Sequence, residues 1–367
     1  MEEFIIQGKE AFKLRKFEKA FEWLSKAIGL LESEKAGQWM NAEDIAELYL
    51  LRGSALLAQN EREAYENPDI FNQILDDYEQ TLELDENQIE AYGLRGRLYL
   101  NCQFTSYKEE ARKDFQEVLR RDPMHLETLN AMGQLFYEQG EYPKAIYYLN
   151  LVLKEAPTVE SWELRALSHL RSLPPNYTAA IQDFGKAKDL QPDREEFYLW
   201  RAQGFQELGL IEDAIKEYDQ LLDKNPNNSS FWVDRGTLSM QIDAGQAMED
   251  FSTAIELAGD PLGYNNRAFL HRQQGDYVAA LTDAQKALEA DPNASITYAT
   301  IAEIYADMGE EEPFYQYFQL ALEHYYEDAV DARSEPGFQK FAHEDRFLAL
   351  LDDFKTQHKS KGNTDEK

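Results

Sequence analysis

The chain has 367 residues, 69 Asp and Glu against 37 Lys and Arg, a formal net charge of -32 and one cysteine. That length fits two or three ordinary domains or one long repeat array, and the 43% hydrophobic content is ample for a core. The acidity sets the chain against nucleic-acid phosphates and anionic membranes, and one cysteine excludes an internal disulfide framework and Cys-rich zinc sites.

The opening MEEFIIQGKEAFK is acidic where a secretory leader is basic, and no apolar run approaches membrane length, so a cytoplasmic setting is expected. Glycine (19) and proline (12) are sparse, which favours long helices with short connections. The predicted elements are helical hairpins. They fall at 1–34, 46–88, 89–125, 126–158, 159–194, 195–228, 229–260, 261–294 and 295–328, with a linker at 35–45 and a tail at 329–367. Pro123, Pro157, Pro192, Pro226 and Pro292 close successive hairpins, at gaps of 34, 35 and 34 and then a double period of 66. Small residues recur upstream at Gly8, Gly53, Gly96, Gly133, Ala166, Ala202, Gly236, Ala268 and Ala302. A second ladder runs through Ala20, Ala111, Ala145, Ala180, Ala214, Ala247 and Ala280, and a third through Ala27, Ala187, Ala254, Ala287 and Ala321. A period near 34 with small residues at fixed offsets predicts a stacked helical array. Two stretches break the period, with extra residues near 61–71 and near 104–107. Apolar stripes through Phe338, Phe341, Phe347, Leu348, Leu350, Leu351 and Phe354 predict a helical cap on the last hairpin, ending in a frayed polar C-terminus.

The pattern resembles the tetratricopeptide repeat, whose 34-residue unit carries bulky residues at 4, 11 and 24, small residues at 8, 20 and 27, and proline at 32. In 126–159 the matches are Leu129, Gly133, Phe136, Ala145, Leu149, Val152 (at 27) and Pro157. In 195–228 they are Tyr198, Ala202, Phe205, Ala214, Tyr218, Leu221 (at 27) and Pro226. The resemblance implies an all-α fold, a right-handed α-solenoid superhelix of about nine repeats. The ninth departs from the pattern, with Phe314 where alanine is usual.

Six repeats carry arginine at position 7, where the family has leucine: Arg52, Arg95, Arg165, Arg201, Arg235 and Arg267. The same six carry an acid at position 23: Asp77, Asp114, Asp183, Glu217, Asp250 and Asp283. The other three have Gln7, Met132 and Ile301 with Trp23, Tyr148 and Tyr317. This both-or-neither rule predicts buried helix-to-helix ion pairs, within a repeat or with the next one.

Nothing in the sequence assembles a catalytic or cofactor site. The histidines have no metal-ligand spacing, and Walker, Rossmann, G-x-S-x-G and EF-hand patterns are absent. We therefore expect no enzyme activity, no metal and no cofactor. The resemblance implies a concave groove lined by first helices, here by Asn130, Gln134, Tyr137, Leu164, Leu167, Trp200, Gln203, Asn265, Asn266, Phe269 and Arg272. Amide side chains there suit an extended peptide backbone, and Trp200 and Phe269 suit apolar anchoring. The family's two-carboxylate clamp is missing, since Asn266 is flanked by Val233, Thr237, Ile296 and Thr300 in the repeats on either side. The expected function is a monomeric scaffold for a protein or peptide partner, basic to match the charge. The alternative is a regulatory module whose curvature responds to peptide or domain binding.

Overall fold

Helix-forming stretches separated by capping residues and tight turns account for the architecture, as a computed structural model gives it. The structure describes residues 1–33, 40–103, 106–324, 332–333 and 336–359. Among these, every regular element is helical. Cα packing divides the chain into Met1–Pro192 and Asp193–Lys367.

The first unit contains α1 (Glu2–Lys13), α2 (Phe17–Ser33), α3 (Ala42–Gln59), α4 (Glu63–Glu66), α5 (Pro68–Leu84), α6 (Ile89–Asn101), α7 (Lys108–Arg121), α8 (Leu126–Glu138), α9 (Tyr142–Glu155), α10 (Val159–Arg171) and α11 (Tyr177–Leu190). The second contains α12 (Glu195–Glu207), α13 (Ile211–Lys224), α14 (Ser229–Ser239), α15 (Ala244–Ala258), α16 (Pro261–Gln273), α17 (Tyr277–Ala290), α18 (Ser295–Met308), α19 (Glu311–Glu323) and α20 (Asp345–Lys359). Helices pair in chain order, α1 with α2, α3 with α5, and so on to α18 with α19, and each pair packs on the next within its unit.

Close approach of paired helices rests on the small residues. Ala20, Ala111, Ala145, Ala180, Ala214, Ala247 and Ala280 are all fully buried, as are Ala27, Ala187, Ala254, Ala287 and Ala321. At Gly96 a methyl group would sit 2.6 Å from the Phe115 ring, so glycine lets that ring pack this close to α6. Second helices end where the backbone turns extended, as at Asp122 and Asp291, each followed by proline.

Three features differ from the sequence expectation. First, α3 begins at Ala42, inside the expected linker, because the Asn41 side chain accepts from Asp44 N and starts the helix there. Residues 35–39 of that linker, and residue 34 before it, lie outside the described residues. Second, the extra residues near 61–71 form α4, a short helix between the two helices of the second hairpin; of the insertion near 104–107, residues 104–105 are outside the described residues. Third, the cap is not one helical run. Pro336–Phe338 forms a 3-10 turn against α18, and α20 begins only at Asp345. A methyl group at Gly337 would strike the Glu303 carboxylate, which explains the glycine at this contact. Phe338, Phe341, Phe347, Leu351 and Phe354 are buried, and Phe341 stacks on Phe314 at 4.0 Å between ring centres. The bulky Phe314 is thus accommodated by the cap. The expected frayed end, 360–367, lies outside the described residues.

Candidate binding faces and the arginine rungs

Position 7 of a first helix faces position 23 of the second helix across their shared interface, which brings together all six arginine–acid pairs within their own repeats. Five arginines hold their aspartate with both Nε and Nη2. For Arg95 and Asp114 both bonds are 2.8 Å, and for Arg165 and Asp183 they are 2.7 and 2.6 Å. Arg52–Asp77, Arg235–Asp250 and Arg267–Asp283 have the same fork geometry. Glu217 Oε1 accepts from both Nε and Nη2 of Arg201, at 3.0 and 2.8 Å. The acid side chains are at most 7% exposed and the arginines 15–21%.

Two further partners of the arginines were not anticipated. Below the guanidinium lies the aromatic residue three positions earlier: Arg165 over Trp162 at 4.9 Å, Arg235 over Trp232 at 4.8 Å, with Tyr49, Tyr92 and Tyr264 in the same role. The remaining Nη1 reaches the preceding repeat in three cases, to Asn150 from Arg165, Asp219 from Arg235 (2.7 Å) and Ser252 from Arg267 (3.0 Å). All three acceptors follow the bulky position 24, a regularity visible in the sequence once the geometry is known. Each such arginine ties two helices of one repeat and the repeat before it.

Desolvation weighs on these pairs. Burial pushes the Asp77 and Asp114 carboxyls above the ordinary carboxylate value against the pull of their guanidiniums. Burial also works against the Arg52 and Arg95 charges, but hydrogen bonds to those acids carry both above the ordinary arginine value. His169, at position 11 beside the Arg165–Asp183 pair, is held below its ordinary value by burial; Asp183 opposes the shift and Arg165 reinforces it. In the three repeats without the pair, position 23 stacks on a ring of the first helix: Trp23 on Phe4 at 5.4 Å, Tyr148 on Phe136 at 5.5 Å, Tyr317 on Tyr305 at 5.6 Å. A planar guanidinium–carboxylate unit and a second aromatic ring are alternative ways to fill the same slot.

The expected groove residues divide between units. In the first, Asn130 and Gln134 line a shallow recess on α6 and α8 with Arg97, Asn101 and Glu127. Asn130 accepts from Ser161 Oγ at 3.0 Å, and Gln134 donates to Glu138 at 3.0 Å. Tyr137 lies under Arg171 at 5.1 Å. Leu164 packs against the core as a half-buried residue, and Leu167 is also half-buried. In the second unit Gln203 is exposed and Trp200 half-buried, its ring 6.0 Å from Phe197. Two residues are less available than expected. Asn265 is buried, and Arg272 is committed to Glu303 and Asp307, both at 2.6 Å. Asn265 Nδ2 approaches Asn266 Oδ1 at 3.4 Å, and Asn266 Nδ2 donates to Thr237 Oγ1 on α14 at 3.2 Å. Asn265 Oδ1 ends this row buried and without a hydrogen-bond partner among the described residues.

No group of three or more metal-ligating side chains occurs among the described residues, and no described helix is long and apolar enough to cross a membrane. Family models described as tetratricopeptide repeat match residues 261–294 and 108–160. The DnaJ homolog subfamily C member 7 homolog of Schizosaccharomyces pombe is 26% identical over 204 residues, covering 53% of this chain and 38% of that protein. The TPR repeat-containing protein YpiA of Bacillus subtilis is 27% identical over 201 residues, covering 53% of this chain and 45% of that protein. The chain thus matches less than half the length of these relatives. The C-terminal part of a TPR repeat-containing protein from Cytophaga hutchinsonii superposes with a TM-score of 0.52 at 16% identity, over 69% of this chain and 94% of that one.

Proposed function

The chain is a tetratricopeptide repeat protein, and from that premise we propose that it is a non-enzymatic scaffold holding an extended segment of a partner protein against its first-helix faces. The observation that carries this reading is the amide row of α14 and α16. Thr237, Asn266 and Asn265 form a polar line across successive first helices, beside the half-buried Phe269. Within the row Asn266 is half-buried and presents its amide at the surface, while Asn265 lies buried behind it. Amide side chains bond a peptide backbone whatever its side chains, so the row supports peptide binding in general and selects no sequence.

Charge supports a basic partner. Residues 1–328 hold 61 acids against 30 bases, whereas the tail holds 8 against 7. The six arginine rungs are neutral as pairs, so the surplus acids lie on other surfaces and favour cationic encounter.

In-cell cross-linking with mass spectrometry tests the proposal: the partner's cross-links should fall on first helices, and Asn266→Ala should weaken recovery of the same partner. Turnover of a small molecule by the purified chain, or cross-links confined to second helices, would refute it.

A further inference from the structure

Four hairpin turns share one backbone geometry. Each has a glycine at positive φ: 75° at Gly140, 71° at Gly209, 78° at Gly275 and 80° at Gly309. The glycine donates three residues back, and the next residue donates five back, Glu141 to Phe136 and Leu210 to Phe205 both at 2.8 Å. Asp276 to His271 and Glu310 to Tyr305 repeat the bond at 2.9 Å. This bonding is entirely backbone, so it sets no demand on the side chains beside the glycine. The Gly140 turn is flanked by Gln139 and Glu141, whereas the Gly209 turn is flanked by Leu208 and Leu210.

In the second unit apolar side chains recur along this edge. Leu208, Leu210, Ile242, Val278 and Met308 are 41 to 79% exposed. The same register is filled by polar residues elsewhere, Gln274 for Leu208 and Glu212 for Val278, so the fold does not call for them. Because successive hairpins of this unit pack on one another, its four hairpin turns, the three with a glycine at 209, 275 and 309 and the one at 240–246 without, follow one another at about 10 Å, forming a strip roughly 30 Å long. The turn segments 206–213, 240–246, 273–278 and 307–312 contain nine acids and no lysine or arginine. Some of these acids are occupied: Asp243 and Asp276 cap helices, and Asp213, Asp307 and Glu312 pair with Lys216, Arg272 and Arg346. Lys340 also approaches this edge, beside Gly309. Glu207, Glu212, Glu310 and Glu311 have no ion-pair partner among the described residues.

We propose that this turn edge docks a cationic amphipathic helix of a partner protein, separately from the first-helix face. An exposed apolar row framed by carboxylates fits a helix whose apolar stripe is flanked by Lys or Arg. About 20 residues of helix span the strip. A second copy of the edge would meet it with like charge.

The test uses the full chain and a synthetic 20-residue leucine/lysine amphipathic peptide, with a scrambled peptide of the same composition as control. Hydrogen–deuterium exchange should place peptide-induced protection at the four turn segments. The variant Leu208→Gln, Leu210→Gln, Ile242→Gln, Val278→Gln and Met308→Gln should melt as wild type does and bind at least tenfold more weakly by fluorescence anisotropy. The scrambled peptide should lose at least as much. Four results would overturn the proposal: unchanged affinity in the variant, equal binding of the scrambled peptide, protection confined to first helices, or self-association of the chain that the variant abolishes.

Discussion

The guanidinium of a rung arginine meets a carboxylate in its own repeat and, in five of the six, an aromatic ring one helical turn earlier. Removing the arginine strands a nearly dry carboxylate. Arg95→Met and Arg235→Met should each destabilise by about 3–5 kcal/mol, seen as a clear drop in thermal midpoint; melts matching wild type would show the pairs to be dispensable. Desolvation already lifts Asp114 against its arginine, so the pair is not expected to outperform an apolar contact. The double variant Arg95→Met/Asp114→Leu should recover most of the loss, and a double variant as unstable as the single one would contradict this.

His169 supplies a pH dependence at the same scale. Its folded pKa lies below the ordinary 6.5 because burial disfavours the charged ring. The unfolded chain therefore takes up a proton that the folded chain refuses, and stability present above that value is lost as pH falls through it. Between pH 8 and pH 5.5 the thermal midpoint of His169→Gln should fall less than that of wild type. Parallel curves would contradict the assignment.

At the scale of elements, small residues set how near two helices come, and rings fill what remains. Gly96→Ala pushes a methyl group to within 2.6 Å of the Phe115 ring and should destabilise by about 1–3 kcal/mol through overpacking. At the other end of the chain, Phe341 closes the aromatic stack over Phe314. Phe341→Ala should destabilise by about 3–5 kcal/mol, with hydrogen exchange rising first in α18 and α19. The alanine ladders and closing prolines were legible beforehand because close approach and helix termination each demand one kind of residue. The pairing of Arg95 with Asp114 was legible because both-or-neither substitution leaves a mark in composition. The bridges from Arg165, Arg235 and Arg267 to the preceding repeat were not, since Asn150, Asp219 and Ser252 share a position but no residue type beyond polarity. Nor was the break before α20: apolar periodicity runs through Phe338 and Phe341, and only the contact of Gly337 with Glu303 shows why the chain turns there. The first-helix residues were the least legible. Burial of Asn265 and capture of Arg272 by Glu303 and Asp307 depend on neighbouring repeats.

For the molecule as a whole, charge and architecture point the same way. A chain of net charge -32 whose arginine rungs are internally neutral presents its surplus acids to solvent, where salt screens them within about 10 Å at 0.1 M. Affinity for its partner should fall as salt rises from about 0.05 to 0.5 M, and salt-independent binding would remove electrostatics from the account. The claim that the repeats exist to hold a partner is tested most directly by photo-cross-linking in cells. A photoreactive residue at position 269, on the proposed first-helix face, should capture a discrete partner protein, and Asn266→Ala should diminish that capture. The same residue at Tyr147, exposed on a second helix of the first unit, serves as the control. Equal capture at both positions, or capture at neither, would contradict the account.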